Sequence, residues 1–204
     1  MRFLPTLFEN NRAWAREQAA RDPEFFSRLA VDQKPAHLWI GCADSRVPAN
    51  EIVGLAPGDL FVHRNVGNLV VPDDLNCQAV LQYAIEALQV SHIMVTGHHG
   101  CGGVRAAFGP CSHGPLEEWI GHIRAIRRTH EEELAALPDE DHRCQRLCEL
   151  NVIEQVNVLS HMPVVTGAWG RGQKLMLHGW MYDLRDGLLR DLHVSLDGPA
   201  SIRF

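Results

Sequence analysis

Four residues carry the donor atoms most suited to a transition metal. Cys42 and Asp44 stand two apart, and His98 and Cys101 stand three apart around a glycine-rich turn. Thiolate, imidazole and carboxylate all ligate zinc, and four such donors complete a tetrahedral shell. Two thiolates, one imidazole and one carboxylate suit zinc better than magnesium or calcium, which prefer oxygen. In extended chain, residues two apart point the same way, so Cys42 and Asp44 can face one ion. C-x-D is not a zinc-finger spacing and there is no C-x-x-C pair. The same spacing therefore also fits two buried cysteines and a solvated aspartate. Arg46, two residues beyond Asp44, offers that carboxylate a second partner. If Asp44 turned to Arg46, water could take the fourth metal position and ionise near neutral pH. The plainer alternative is a surface ion pair of little energetic consequence.

Buried strands must bring these residues together. His37–Cys42 and Leu60–Arg64 are short apolar runs, and His92–Thr96 is a third. Each reads as a buried strand. Asn76–Val90 reads as a helix with Val80, Leu81, Ala84, Ile85 and Leu88 on its apolar face. A loop over 97–103 follows the third strand, and a helix is expected from Cys101 to Phe108, ended by Gly109-Pro110. Leu116–His130 and Arg143–Ser160 are helical in pattern, and Lys174–Tyr182 and Leu188–Ser195 read as strands. Thr6–Leu29 reads as a helical arm broken near Asp22-Pro23. The expectation is an α/β fold with a mostly parallel central β-sheet flanked by helices, in a single domain over 1–204 with residues 1–30 as the arm. Sites in such sheets lie beyond the carboxyl ends of the strands, which is where the Cys42 and His98 loops emerge.

Composition narrows the function classes. The chain has 204 residues, 46% of them hydrophobic, enough for a core without disulfide staples. Nineteen basic against 25 acidic residues leave a net charge of −6, which disfavours nucleic-acid binding and a polybasic membrane surface. The chain lacks an apolar run long enough to span a bilayer or form a signal-peptide core, so a cytoplasmic location is expected. The six cysteines are then expected as free thiols or ligands.

Taken together, the motifs resemble a known family. Cys-Ala-Asp-Ser-Arg at 42–46 is similar to the C-x-D-x-R signature of β-class carbonic anhydrases. His98-His99-Gly100-Cys101-Gly102-Gly103 resembles their H-x-x-C-G-G, and His63-Arg64-Asn65-Val66-Gly67-Asn68 resembles the segment between. The resemblance implies one zinc per chain, held by Cys42, His98 and Cys101, with Asp44 as a switchable fourth ligand. Asp44 and Arg46 would form the catalytic dyad for reversible hydration of carbon dioxide to bicarbonate. Gly102, Gln33, Val66 and Tyr83 stand where that family contacts or encloses substrate, although Val66 and Tyr83 suit core packing equally well. Trp39, Arg64 and Tyr182 match the bicarbonate-regulated bacterial (type II) subset, in which such a trio forms a second anion pocket that favours closure of the zinc by Asp44. Their donors suit a planar anion.

The resemblance further implies a homodimer assembling into a homotetramer, with the arm packing on a partner subunit. Rival readings are hydrolysis of carbon disulfide or carbonyl sulfide, or a structural or bicarbonate-sensing zinc protein permanently closed by Asp44. Ala43 departs from the serine frequent in the family. His99, beside a ligand, is expected to be exposed. Cys144 and Cys148 are assigned to the core, and Cys77 and Cys111 show no partner signal.

Overall fold

The computed structural model describes residues 3–110 and 113–199, so Cys111 lies outside the described residues. Two compact units divide at Lys34–Pro35. In the first, helix α1 (Pro5–Arg21) starts with proline in its first turn and is followed by α2 (Phe25–Val31). Asp22 receives Arg28 and the Glu24 amide, which closes the turn between them. Trp14, Phe25 and Phe26 meet edge to face at 5.0–6.3 Å. Neither helix has a fully buried residue, and Leu7, Phe8, Trp14 and Val31 are exposed.

The second unit carries a five-stranded sheet in the order β2-β1-β3-β4-β5. Its strands are β1 (His37–Cys42), β2 (Leu60–Asn65), β3 (His92–His98), β4 (Met176–Asp183) and β5 (Leu188–Asp191). The first four are parallel, and β5 returns antiparallel on β4. This is the mostly parallel α/β sheet expected from the alternating elements. β1 and β3 lie inside the sheet and are buried on both faces, which explains their unbroken apolar sequences. The connecting helices are α3 (Ala49–Val53), α4 (Leu75–Gln82), α5 (Gly102–Ala106), α6 (Pro115–Thr129), α7 (Glu131–Ala135), α8 (Glu140–His161) and α9 (Pro163–Gly170).

One face of the sheet, bearing Leu38, Ile40, Ile93, Val95 and Leu177, packs in the main core with Leu81, Ile85, Ile123, Leu147, Val152 and Leu159. The other bears Trp39 and Met94 in a smaller cluster with Val47, Trp180 and Tyr182. α8 approaches β3 and β4 closely because both strands carry glycine there. A Cβ on Gly97 would stand 2.5 Å from Val152 Cγ2 and 3.2 Å from Met181 Sδ, and one on Gly179 would stand 3.2 Å from Val152 Cγ1. Gly97→Ala should therefore destabilise by about 1–3 kcal/mol through overpacking. A thermal melt should show Tm lowered by several degrees; an unchanged Tm would mean that the helix yields without cost.

Several sequence expectations shift, among them the last strand, which ends at Asp191 rather than Ser195, and the helix after the glycine-rich turn, which spans only Gly102–Ala106. β3 continues through Gly97 to His98, so His98 ends a strand rather than lying in the loop. The helix expected over Asn76–Val90 stops being α-helical at Gln82 and becomes a π-turn, Tyr83–Ala87, with Leu88 N–H donating to Tyr83 O. Gln89 then adopts φ 54, turning the chain into β3. α8 starts at Glu140, earlier than expected, because the Asp139 carboxylate caps it through the His142 amide.

Candidate metal centre

The site is built where β1 and β3 end side by side. β1 delivers Cys42 and β3 delivers His98. Gly100, at φ 72, turns the chain so that Cys101 caps α5. All three residues are buried, and their ligand atoms lie within 4.8 Å of one another. Two Zn–S bonds of about 2.3 Å at a tetrahedral angle separate their sulfurs by about 3.8 Å. Cys42 Sγ and Cys101 Sγ are 3.8 Å apart. The Cys101 thiol beside it, chiefly, draws Cys42 down to about 4, while the same contact pushes Cys101 up.

His98 supplies a second test of fit. Its Nδ1–H donates to the His99 carbonyl at 3.1 Å, leaving the lone pair on Nε2. That Nε2 is buried and has no hydrogen-bond partner. A buried orphan of this kind is costly unless a ligand completes it. Two sulfurs at zinc spacing and an imidazole nitrogen aimed beside them fit a zinc ion.

Asp44 borders this trio, with Oδ2 3.7 Å from His98 Nε2. In this structure its carboxylate is engaged by Arg46. Arg46 Nε donates to Oδ1 at 2.9 Å, Nη2 to Oδ2 at 2.7 Å, and the Arg46 amide to Oδ1 at 2.9 Å. The fork holds the Asp44 carboxyl well below the usual carboxylate range. Arg64 secures the same loop from β2: its Nε donates to Cys42 O at 2.9 Å and its Nη2 to Asp44 O at 2.6 Å.

The other expected site residues are distributed unevenly. Val66 Cγ1 lies 2.7 Å from where a Gly103 Cβ would stand, and Cys101 Sγ is 3.8 Å from the same point, which puts Val66 beside the metal ligands. Gly102 opens α5, where its amide has no partner within the helix, and the space at its Cα is open. Tyr83 instead packs on Phe61 at 5.8 Å, near the start of β2. That is about 13 Å along the strand from Asn65, which pairs with Cys42. Gln33 is exposed in the first unit, its amide donating to Asp32 Oδ1.

Trp39 is fully buried in the smaller cluster, which Tyr182 joins. Its Nε1 lies 2.2 Å from the point a Gly41 Cβ would occupy, so glycine at 41 leaves the indole its place. Arg64 pairs with Gly41 across β1 and β2, and therefore shares a sheet face with Trp39.

The exposed His99 of the sequence expectation is corrected. Its ring is nearly buried between Glu149 Oε1 at 3.4 Å and Asp183 Oδ2 at 3.5 Å. Its amide donates to Tyr182 O, and its carbonyl receives His98 Nδ1–H. These carboxylates, Glu149 foremost, raise the His99 pKa. Residues 183–185 repeat the D-x-R spacing of 44–46, and Arg185 engages Asp183 through the same fork and amide pattern. That repeat marks Asp183 in the sequence, while nothing local marks Glu149.

Comparison with known proteins gives a consistent answer. A family model described as carbonic anhydrase matches residues 37–189. A carbonic anhydrase of Emericella nidulans is 47% identical over 192 residues, covering 94% of this chain and 84% of the relative. The structure of a Coccomyxa β-carbonic anhydrase in complex with acetazolamide superposes with a TM-score of 0.91 at 41% identity, covering 97% of this chain and 90% of that one. One of two tetrameric β-carbonic anhydrases from Sordaria macrospora gives a TM-score of 0.89 at 40% identity, covering 94% and 97% of the two chains. With a family match over most of its length and a zinc-spaced Cys42–His98–Cys101 group at the strand ends, the chain belongs to the β-class carbonic anhydrases, zinc enzymes that hydrate carbon dioxide.

Proposed function

We propose that this centre performs reversible hydration of carbon dioxide to bicarbonate and a proton through Cys42, His98, Cys101 and the Asp44–Arg46 dyad. The observation that carries the proposal is the buried thiolate–imidazole group with a deprotonated, Arg-held carboxylate at its edge. Zinc held there supplies a Lewis acid that lowers the pKa of water to about 7. Asp44 accepts a hydrogen bond from the attacking water and orients its oxygen toward the carbon. Arg46 holds Asp44 aimed through its fork and lowers its pKa further. Val66 provides an apolar wall for neutral carbon dioxide, and the Gly102 amide faces the oxygens that become negative as the C–O bond forms. Gln33 would add a side-chain donor to substrate. Tyr83, placed at the far end of β2, would serve a pocket from a partner chain.

Regulation follows from Arg64. We infer that bicarbonate binds at Trp39, Arg64 and Tyr182 and inhibits, as in the type II subset. Arg64 supports this, because its guanidinium holds the carbonyls on both sides of Ala43. An anion drawing Arg64 away would free the loop, letting Asp44 leave Arg46 and close the metal. Arg64→Ala should flatten the dependence of turnover on bicarbonate; an inhibition curve unchanged from wild type would remove the pocket. A homodimer assembling into a homotetramer is supported by the exposed apolar residues of the helical arm, which suit packing on a partner subunit, and by the tetrameric Sordaria relatives. A cytoplasmic setting is supported by the free thiols of all the described cysteines. Among the described residues no helix is long and apolar enough to cross a membrane.

Stopped-flow hydration of carbon dioxide, scanned across pH on protein of measured zinc content, tests the whole. Turnover rising with pH at about one zinc per chain supports the mechanism. Bound zinc with no hydration at any pH defeats it, and carbon disulfide and carbonyl sulfide then become the substrates to try, ahead of a purely structural zinc.

A further inference from the structure

The opposite end of the sheet carries a second group of nitrogen donors. His37 opens β1 and His92 opens β3, directly paired in register, while His178 lies on β4 beside Met94. All three project from one face. The His37 and His92 rings stack with centroids 5.5 Å apart, and His92 and His178 stack at 5.3 Å. His92 Nδ1 and His178 Nε2 share a hydrogen bond at 3.0 Å, its proton on one of the two nitrogens. His37 Nδ1 is buried with no hydrogen-bond partner. The metal centre at the far ends of the same strands is about 17–20 Å away.

We propose that His92 and His178, backed by His37, form a second, non-catalytic site for a divalent transition ion, with copper(II) the best fit. Imidazole nitrogens are the preferred donors for copper, nickel and zinc. Two nitrogens in adjacent positions of a square-planar or tetragonal ion, at about 2.0–2.1 Å, stand about 2.9 Å apart, whereas a tetrahedral ion spreads them to about 3.3 Å. The two nitrogens, held 3.0 Å apart by a shared N–H···N hydrogen bond, need move little to reach the former once the ion displaces that proton to solvent, and copper heads the affinity order among divalent first-row ions.

The surroundings also fit. His178 Nδ1 lies 2.9 Å from Ser195 Oγ, the kind of outer hydrogen bond that fixes a ligating imidazole, and its other nitrogen is turned toward His92. Burial, followed by the neighbouring imidazoles, lowers the pKa of His92 and His178, which favours the neutral rings that metal binding needs. Asp191 is the carboxylate acting on His178 and would balance part of the ion's charge. His92 also borders an open cavity of about 610 Å³, with Ser91, Trp169, Lys174, Met176 and Asp197 among its walls. The rings, 29° from parallel, must tilt for both lone pairs to converge.

The test uses the zinc-loaded enzyme, so that the catalytic site is filled. Copper(II) chloride is titrated calorimetrically, and the product is examined by electron paramagnetic resonance. The expected result is one copper per chain in addition to zinc, nitrogen hyperfine structure from imidazoles, and weaker binding of nickel(II). His92→Gln and His178→Gln should each weaken copper about tenfold or more while leaving hydration of carbon dioxide unchanged. Ser195→Ala, a milder change that spares the rings, should weaken it less, which covers the case that a histidine variant fails to fold. Absence of a second equivalent, entry of copper only with loss of zinc, or equal affinity in all three variants would each overturn the proposal.

Discussion

Cys101→Ser is expected to strip the metal and bring hydration of carbon dioxide down to the uncatalysed rate. Cys101 is one of two sulfurs in the ligand group and stands 3.8 Å from the other. Serine keeps the shape but replaces a thiolate by a hydroxyl that stays protonated at neutral pH, so the site loses a negative ligand of the type zinc prefers. The remaining pair, Cys42 and His98, cannot fill three positions. A hydroxyl at this buried position also lacks an obvious partner, at a stability cost of about 1–3 kcal/mol. The fold should survive that, because the main core extends from α4 to α9 and does not depend on the metal. Metal analysis should therefore find zinc far below one per chain, with an unchanged circular dichroism spectrum. Full zinc content together with normal turnover in this variant would refute the ligand assignment.

The sequence made the chemistry legible sooner than the architecture around it. Cys42 and Asp44 follow an apolar run that had to be a buried strand, and the glycine-rich turn between His98 and Cys101 had to reverse the chain; two spacings thus placed the ligands. His98 reads as loop in the sequence because it falls in the glycine-rich stretch that starts at Gly97. Gly97 is instead strand, kept small by Val152 of α8. The same local logic missed the π-turn at Tyr83, since an apolar helical stripe carries no mark of where one extra residue enters. His99 was misjudged because its partners, Glu149 and Asp183, are far away in sequence and meet it only through the packing of α8 on β4. Arg64 was legible as an anion binder by type, but not as the clamp on the Cys42 and Asp44 carbonyls, because main-chain partners leave no trace in a sequence.

Arg46→Ala is expected to leave zinc in place and lower kcat by about 100-fold or more, the range of losing a positioned acid–base partner. The argument rests on what the guanidinium does for Asp44. It supplies two parallel hydrogen bonds, and its amide supplies a third, all on one carboxylate. Without the side chain, the carboxylate retains only the amide bond and loses the cation that holds it in place. It also stands 3.7 Å from His98 Nε2, so the nearest cation left to it is the metal. A fourth protein ligand closes the site, and a closed zinc has no position for water. Arg46→Lys separates charge from geometry. Lysine restores a cation but not the planar fork, and an ammonium is a strongly hydrated point charge. If the fork matters, lysine recovers only a small part of the lost turnover; if charge alone matters, it recovers most of it. Zinc content near one per chain in both variants would show that the loss is catalytic rather than structural. Turnover in Arg46→Ala equal to wild type would sink the dyad, and with it the proposal that Asp44 moves between arginine and metal.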